Sequence, residues 1–335
     1  MTPTDEQLIA DTLKRCGLSP AANLRRIGID RGFNTHIHRF QCGSQELVAK
    51  VGTNPDRFPH NTREIDAFVL LATPCMLPVP AHRAHLIDEA NGWTVLIMDH
   101  IEAREPSSEE GIDLATLDQS IAAMTTCWNT TTGNAPELGR PLPQWGKGTR
   151  NSSHPHRRRV DRFRKRSSNY LQHFAGEAES KSPSLELVRW LDANLEACLD
   201  EAAGWPRRLI HGDLHPENLL LKNDQLTILD WQTASWGAPI LDLMRLILDG
   251  IPTITISQLE ERVRCLFELQ NDPAPEPDIH RQSAIAAAIT HAGFISGWGG
   301  RPLNTLGPRE KQIIQRHASP EGAGRLVQHL LSRHW

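Results

Sequence analysis

Leu209-Ile210-His211-Gly212-Asp213-Leu214-His215-Pro216-Glu217-Asn218-Leu219-Leu220-Leu221, followed by Leu226-Thr227-Ile228-Leu229-Asp230-Trp231, decides the fold of this chain. The run begins as a short apolar strand and passes into a polar loop. Leu219 to Leu221 and Leu226 to Leu229 then read as the arms of a hairpin around Lys222-Asn223-Asp224-Gln225. Apolar strands on both sides of a polar loop hold its side chains at a surface. The hairpin is expected to return Asp230 beside Asn218, so Asp213, Asn218 and Asp230 can converge on one point.

That trio fits phosphoryl transfer of the protein-kinase class. The reaction uses an Asp to receive the substrate hydroxyl proton. An Asn in the same loop, and a second Asp after a hairpin, hold magnesium. His211, Asp213 and Asn218 have the spacing H-x-D-x-x-x-x-N. Magnesium takes hard oxygen ligands and keeps several waters, so two side chains plus nucleotide phosphates suffice. A hairpin whose Asp and Asn merely cap turns is the plainer reading.

The run His211-Gly212-Asp213 to Asn218, then Asp230-Trp231, resembles the aminoglycoside phosphotransferase and choline kinase family. In that family Gly or Asn follows the His, and Asp-Trp or Asp-Phe stands where protein kinases have Asp-Phe-Gly. The resemblance runs from about Ile27 to about Trp298. It implies an α+β, protein-kinase-like two-lobed fold, with a small β-rich N-terminal lobe over 1–99, a hinge at 100–103 and a larger, mainly helical lobe over 104–335. It implies transfer of the terminal phosphate of ATP, with GTP possible, to a hydroxyl of a sugar, antibiotic or related metabolite. Asp213 is then the catalytic residue, and Asn218 and Asp230 are the Mg2+ ligands.

Other segments take their place in that frame. Asp30-Arg31-Gly32-Phe33-Asn34-Thr35 lies between two strand-like runs. By resemblance Gly32, Asn34 and Thr35 lie over the nucleotide phosphates, although an ordinary hairpin turn would read the same. Lys50 sits mid-strand in Leu47-Val48-Ala49-Lys50-Val51, and a Lys there is costly to bury without a partner. The resemblance offers nucleotide phosphates and a helix Glu. Arg63 to Leu71 reads as that helix, with Ile65, Phe68, Val69 and Leu71 inward and Glu64 as partner. Trp93 to Met98 is an apolar strand leading to Asp99, His100 and Ile101, whose backbone the resemblance sets against the purine edge.

In the C-terminal part, 113–129 reads as a helix with Leu117, Ile121, Met124 and Trp128 on its buried face. Arg157 to Arg166 holds seven basic residues in ten above a stripe of Val160, Phe163 and Tyr170. This basic face is either solvated or supplies a field near the acceptor site. Trp236-Gly237-Ala238-Pro239-Ile240-Leu241-Asp242-Leu243 resembles a family segment in which Asp242 braces the catalytic loop. Trp145, Trp190, Trp231, Trp236 and Trp298 are available either as core or as an aromatic cage for a choline-type cation.

Composition excludes several classes. The chain has 335 residues and a formal net charge of −4, so bulk basicity gives no case for nucleic acid. Six scattered cysteines form no C-x-x-C pair, which suits a reducing cytoplasm better than disulfides or zinc. No secretory leader is expected, because the first residues are acidic and lack an apolar run. No membrane span is expected either. A protein kinase fits poorly, since Asp-Phe-Gly and Ala-Pro-Glu are missing and no activation loop has room before Asp242. A nucleotide-binding pseudokinase or scaffold is the remaining alternative, and magnesium-dependent turnover with an acceptor separates it from an enzyme.

Overall fold

The structure, a computed structural model, describes residues 3–27, 35–71, 77–103, 111–131, 156–172, 183–223, 225–250, 254–269, 276–305, 307, 311, 314 and 323–332. These fall into two compact units. One holds the described residues up to 103 together with Leu219–Ala234, and the other holds those from 111 to Asn218 and from Ser235 onward.

The first unit is built on a five-stranded antiparallel sheet. Its strands are β1 (Ala21–Arg26), β2 (Thr35–Cys42), β3 (Gln45–Gly52), β4 (His82–Asp88) and β5 (Trp93–Asp99), in the order β1-β2-β3-β5-β4. Strand β3 alternates as its sequence predicts. Leu47, Ala49 and Val51 are buried, while Val48 and Lys50 share the half-buried face. Helix α1 (Asp5–Arg15) starts at a capping box between Thr4 and Gln7. Its Leu8, Ile9 and Leu13 pack with Phe40, Leu47, Ala49, Val51 and Ile97. Each fully buried Leu or Ile there contributes about 1.5–3 kcal/mol. Gly17, at φ +68°, turns the chain out of α1 in a conformation that glycine adopts without strain.

Helix α2 (Phe58–Asp66) begins five residues before the expected Arg63 and runs into a π-helical turn over Ala67–Leu71. Ile65 and Phe68 are buried as expected, but Val69 is exposed, a correction to the α-helical phase. A π turn holds more residues per turn than an α-helix, so Val69 rotates off the predicted face. The Leu71 side chain lies outside the described residues. The hairpin β7 (Leu219–Lys222) and β8 (Gln225–Ile228) pairs Leu219 with Ile228. It joins this unit through the Ile228 N–H, which donates to the Pro78 carbonyl at 2.5 Å.

The second unit is helical: α3 (Leu114–Thr130), α4 (Arg157–Gln172), α5 (Pro183–Ala203), α6 (Pro239–Gly250), α7 (Ile256–Leu269), α8 (Glu276–Phe294) and α9 (Ala323–Ser332). Asp113 caps α3 by accepting the Thr116 N–H, and Leu117, Ile121, Met124 and Trp128 are buried. Helix α8 packs against α5, α6, α7 and α9, and its run Ala284 to Ala288 has no exposed surface. A short strand β6 (Arg208–Ile210) pairs with β9 (Ser235–Gly237), so Leu209 stands opposite Trp236. Trp231 and Trp236 are buried in their units, which makes them core and not an exposed cage. Trp145 and the Trp298 side chain lie outside the described residues. No helix among the described residues is long and apolar enough to cross a membrane.

Candidate active site

In the second unit, the loop after β6 is fixed by one buried carboxylate. Asp242, on the first turn of α6, accepts the His211 N–H at 2.7 Å on Oδ2 and the Gly212 N–H at 2.8 Å on Oδ1. Gly212 sits at φ +82°, which lets both N–H groups point at the same carboxylate. The His211 side chain is fully buried, and its Nδ1 accepts the Asp213 N–H at 3.3 Å. Burial pushes the Asp242 carboxyl up to about 6, against the opposing effects of His211 and the two backbone N–H donors. The bracing role expected of Asp242 is thus a pair of charge-assisted hydrogen bonds to the backbone.

Asp213 is then aimed by its neighbours. Its Oδ1 lies 3.2 Å from Arg245 Nη2, and its Oδ2 lies 3.7 Å from His215 Nε2. Its side chain keeps 33% of its surface exposed, so a hydroxyl can still reach it. Asn218 Nδ2 donates to the Asp213 carbonyl at 2.9 Å and lies 3.2 Å from His215 Nε2. Its amide nitrogen is thereby committed, and its Oδ1 meets no donor among the described residues. A cavity of about 400 Å³ opens beside Asp213, within the size range of small-molecule sites. Leu195, Leu199, Ile289 and Phe294 supply its apolar wall, and Arg159 and Arg162 of α4 also line it.

Arg245 was absent from the sequence reading. Its signal was present: one guanidinium in the otherwise apolar run Leu243 to Leu248, three residues after Asp242 and four before Asp249. It pairs with Asp249 at 3.0 Å as well as with Asp213. Burial alone would lower its pKa, but Asp249, Asp213 and Glu217 outweigh burial and raise it.

The first unit assembles a second cluster. Lys50 Nζ lies 2.5 Å from Glu64 Oε1 and 3.6 Å from Asp230 Oδ1. Burial alone would lower the Lys50 pKa, yet Glu64 and then Asp230 outweigh it and hold the ammonium charged. Gln232, also unforeseen, donates from Nε2 to Glu64 Oε2 at 3.3 Å, and its carbonyl accepts from Arg63 Nη1 at 3.0 Å. Asp230 has a left-handed backbone at φ +62°, and its Oδ1 is buried without a hydrogen-bond partner. An anionic buried oxygen lacking a donor beyond one ion pair suits a cation ligand.

The remaining expected positions are mixed. Thr35 opens β2 and its hydroxyl lies 3.5 Å from Asn61 Oδ1, while Gly32 and Asn34 lie outside the described residues. The Asp99 side chain pairs with Arg83, and its N–H donates to the Ala81 carbonyl at 3.0 Å. The His100 N–H donates to the Glu46 carbonyl at 3.0 Å. Of the three expected purine-facing positions, Ile101 is the one whose N–H meets no acceptor among the described residues.

Known proteins give the family and the fold of this chain. The family model described as "Phosphotransferase enzyme family" matches residues 29–277. No curated protein matches the chain. Among solved structures, a microcompartment-associated aminopropanol kinase is similar at 16% identity and a TM-score of 0.66, covering 98% of each chain. A spectinomycin phosphotransferase in complex with ADP and spectinomycin is similar at 12% identity and a TM-score of 0.58, covering 98% of this chain and 99% of that one. The choline kinase LicA from Streptococcus pneumoniae is similar at 17% identity and a TM-score of 0.55, over 98% and 99% of the two chains. The fold is protein-kinase-like, an antiparallel N-terminal sheet followed by a mainly helical remainder.

Proposed function

This chain belongs to the phosphotransferase enzyme family, and from that membership we propose that it transfers the terminal phosphate of ATP, or of GTP, to a hydroxyl of a small molecule such as a sugar, an antibiotic or a related metabolite. The observation that carries the reading is Asp213. Its backbone is locked through His211 and Asp242, and its carboxylate borders a cavity of about 400 Å³. A carboxylate held this way can orient an acceptor hydroxyl and receive its proton as the bond to phosphorus forms. Arg245 pairs with the Asp213 carboxylate at 3.2 Å and limits its rotation, which fixes the direction from which the hydroxyl is held.

Lys50 is assigned to the nucleotide phosphates, with Glu64 holding it in place. Residues 100–103 are assigned as the hinge that meets the base, and Gly32, Asn34 and Thr35 as the loop over the phosphates. Asn218 and Asp230 are the residues that would hold Mg2+, and both offer a suitable oxygen: the open Oδ1 of Asn218 and the buried, unsatisfied Oδ1 of Asp230. Bound magnesium supplies charge neutralisation at the phosphates.

The test is ADP or GDP release across a library of hydroxylated metabolites and antibiotics. Acceptor-dependent release is expected, and Asp213→Ala should lower it by about 10²–10⁴-fold, the range of a positioned general base. If no acceptor accelerates release while nucleotide still binds, the chain is a nucleotide-binding scaffold and the enzymatic reading fails.

A further inference from the structure

We infer that the acceptor carries an oxyanion, a carboxylate or a phosphate, seated on Arg159 and Arg162 while its reacting hydroxyl meets Asp213; this rests on the phosphotransfer reading. The cavity beside Asp213 has unlike walls. On α6 and the catalytic loop, Arg245 pairs with Asp213 at 3.2 Å and Asp249 at 3.0 Å, and also feels Glu217, so carboxylates outnumber the cation there. On α4, Arg159 and Arg162 line the cavity, and no acidic residue of α4 does.

Three other basic residues of the helix, Arg157, Arg164 and Arg166, have partners outside the cavity. Arg164 pairs with Asp192 at 2.8 Å, and Arg157 approaches Asp161 at 3.9 Å. Arg166 donates to the Gly300 carbonyl. Arg162 has no ion pair among the described residues. Residues three apart on a helix are neighbours on its surface, so Arg159 and Arg162 repel each other. Desolvation, and then the Arg162 charge, lowers the Arg159 pKa. An oxyanion between them relieves that repulsion and accepts the paired N–H donors a guanidinium presents. A polycation would meet two like charges instead. A choline-type cation would also lack Trp231 and Trp236, which are buried in the core.

Four polyols of matched length separate the possibilities: gluconate, sorbitol 6-phosphate, neutral sorbitol and cationic glucamine. Their affinities for the intact protein are measured by isothermal titration without nucleotide, at low and at physiological ionic strength. Gluconate, sorbitol 6-phosphate or both should bind about tenfold or more tighter than sorbitol, glucamine should bind weakest, and salt should weaken the anions alone. The ratio of the two anions tells carboxylate from phosphate. Arg159→Gln with Arg162→Gln should cost the anions about tenfold or more and leave sorbitol unchanged, while Lys at both positions should restore part of the loss. Glucamine binding as tightly as the better anion, absence of binding by both anions, or full anion affinity in the Gln variant overturns the inference. Because no nucleotide is present, these results stand apart from failure of ADP release, which would sink the phosphotransfer reading itself.

Discussion

At the scale of single residues, Asp230 carries the sharpest constraint. It combines a left-handed backbone, an ion pair 3.6 Å from Lys50 and a buried oxygen without a hydrogen bond. A left-handed Asp is tolerated because its short polar side chain suits that region, and Asn suits it as well. Asp230→Asn therefore tests the charge without disturbing the backbone. It should raise the magnesium concentration for half-maximal turnover steeply, whereas Asn218→Ala, which loses a neutral oxygen that water can replace, should raise it less. Magnesium titrations of both variants check this, and curves matching the wild type would remove the two residues from the metal site.

At the scale of an element, α6 does more than fill the core. Asp242, Arg245 and Asp249 recur at spacings of three and four, so one face of an otherwise apolar helix meets the loop that carries His211, Gly212 and Asp213. The pH behaviour of Asp242 follows from its burial. Its carboxyl is raised from 3.8 to about 6 in the fold, so the native state binds its proton more readily than the unfolded chain. Its contribution to stability is then fully present below about pH 4 and is lost as pH rises through 6, a swing of about 3 kcal/mol. Asp242→Asn abolishes that titration. The stability of wild type relative to the variant should be greater at pH 4.5 than at pH 7.5, as urea unfolding at the two values would measure. An unchanged difference would show that Asp242 titrates in its ordinary range. Activity should move the opposite way, because a protonated Asp242 holds the two loop N–H groups less strongly.

At the scale of the whole molecule, the chain distributes its chemistry over two compact units, with Lys50, Glu64 and Asp230 in one and Asp213 and Asn218 in the other. Lys50 and Glu64 are nearly buried, at 14% and 3% exposed, and removing one partner of such a pair leaves an uncompensated charge. Lys50→Ala should lower global stability by about 3–5 kcal/mol, and replacing both partners with apolar residues should recover much of that. Nucleotide linkage offers an independent reading. Magnesium and ATP at about a hundred times the dissociation constant should stabilise the wild type by about 2.7 kcal/mol, and the charge-free double variant by far less. Thermal unfolding with and without nucleotide decides it. Equal stabilisation of both proteins would take Lys50 out of the nucleotide site.

The sequence alone determined the loop-and-hairpin motif, the alternation of β3 and the helix around Leu117 to Trp128. Each rests on local spacing: a period of two or of about four residues, or a motif whose members lie within one loop. Tertiary structure decided what spacing cannot carry. Leu219–Ala234 belongs with the N-terminal unit, its Trp231–Thr233 turn packing on α2 and its Ile228 N–H bonding the Pro78 carbonyl, a grouping its own pattern does not reveal. Val69 left its predicted face because a π turn shifted the phase after Ala67. Arg245 reached Asp213, and Gln232 reached Glu64, through pairings 32 and 168 positions apart in the chain. A polar side chain in an apolar run announces that it needs a partner, but the packing of the elements decides which residue that partner is.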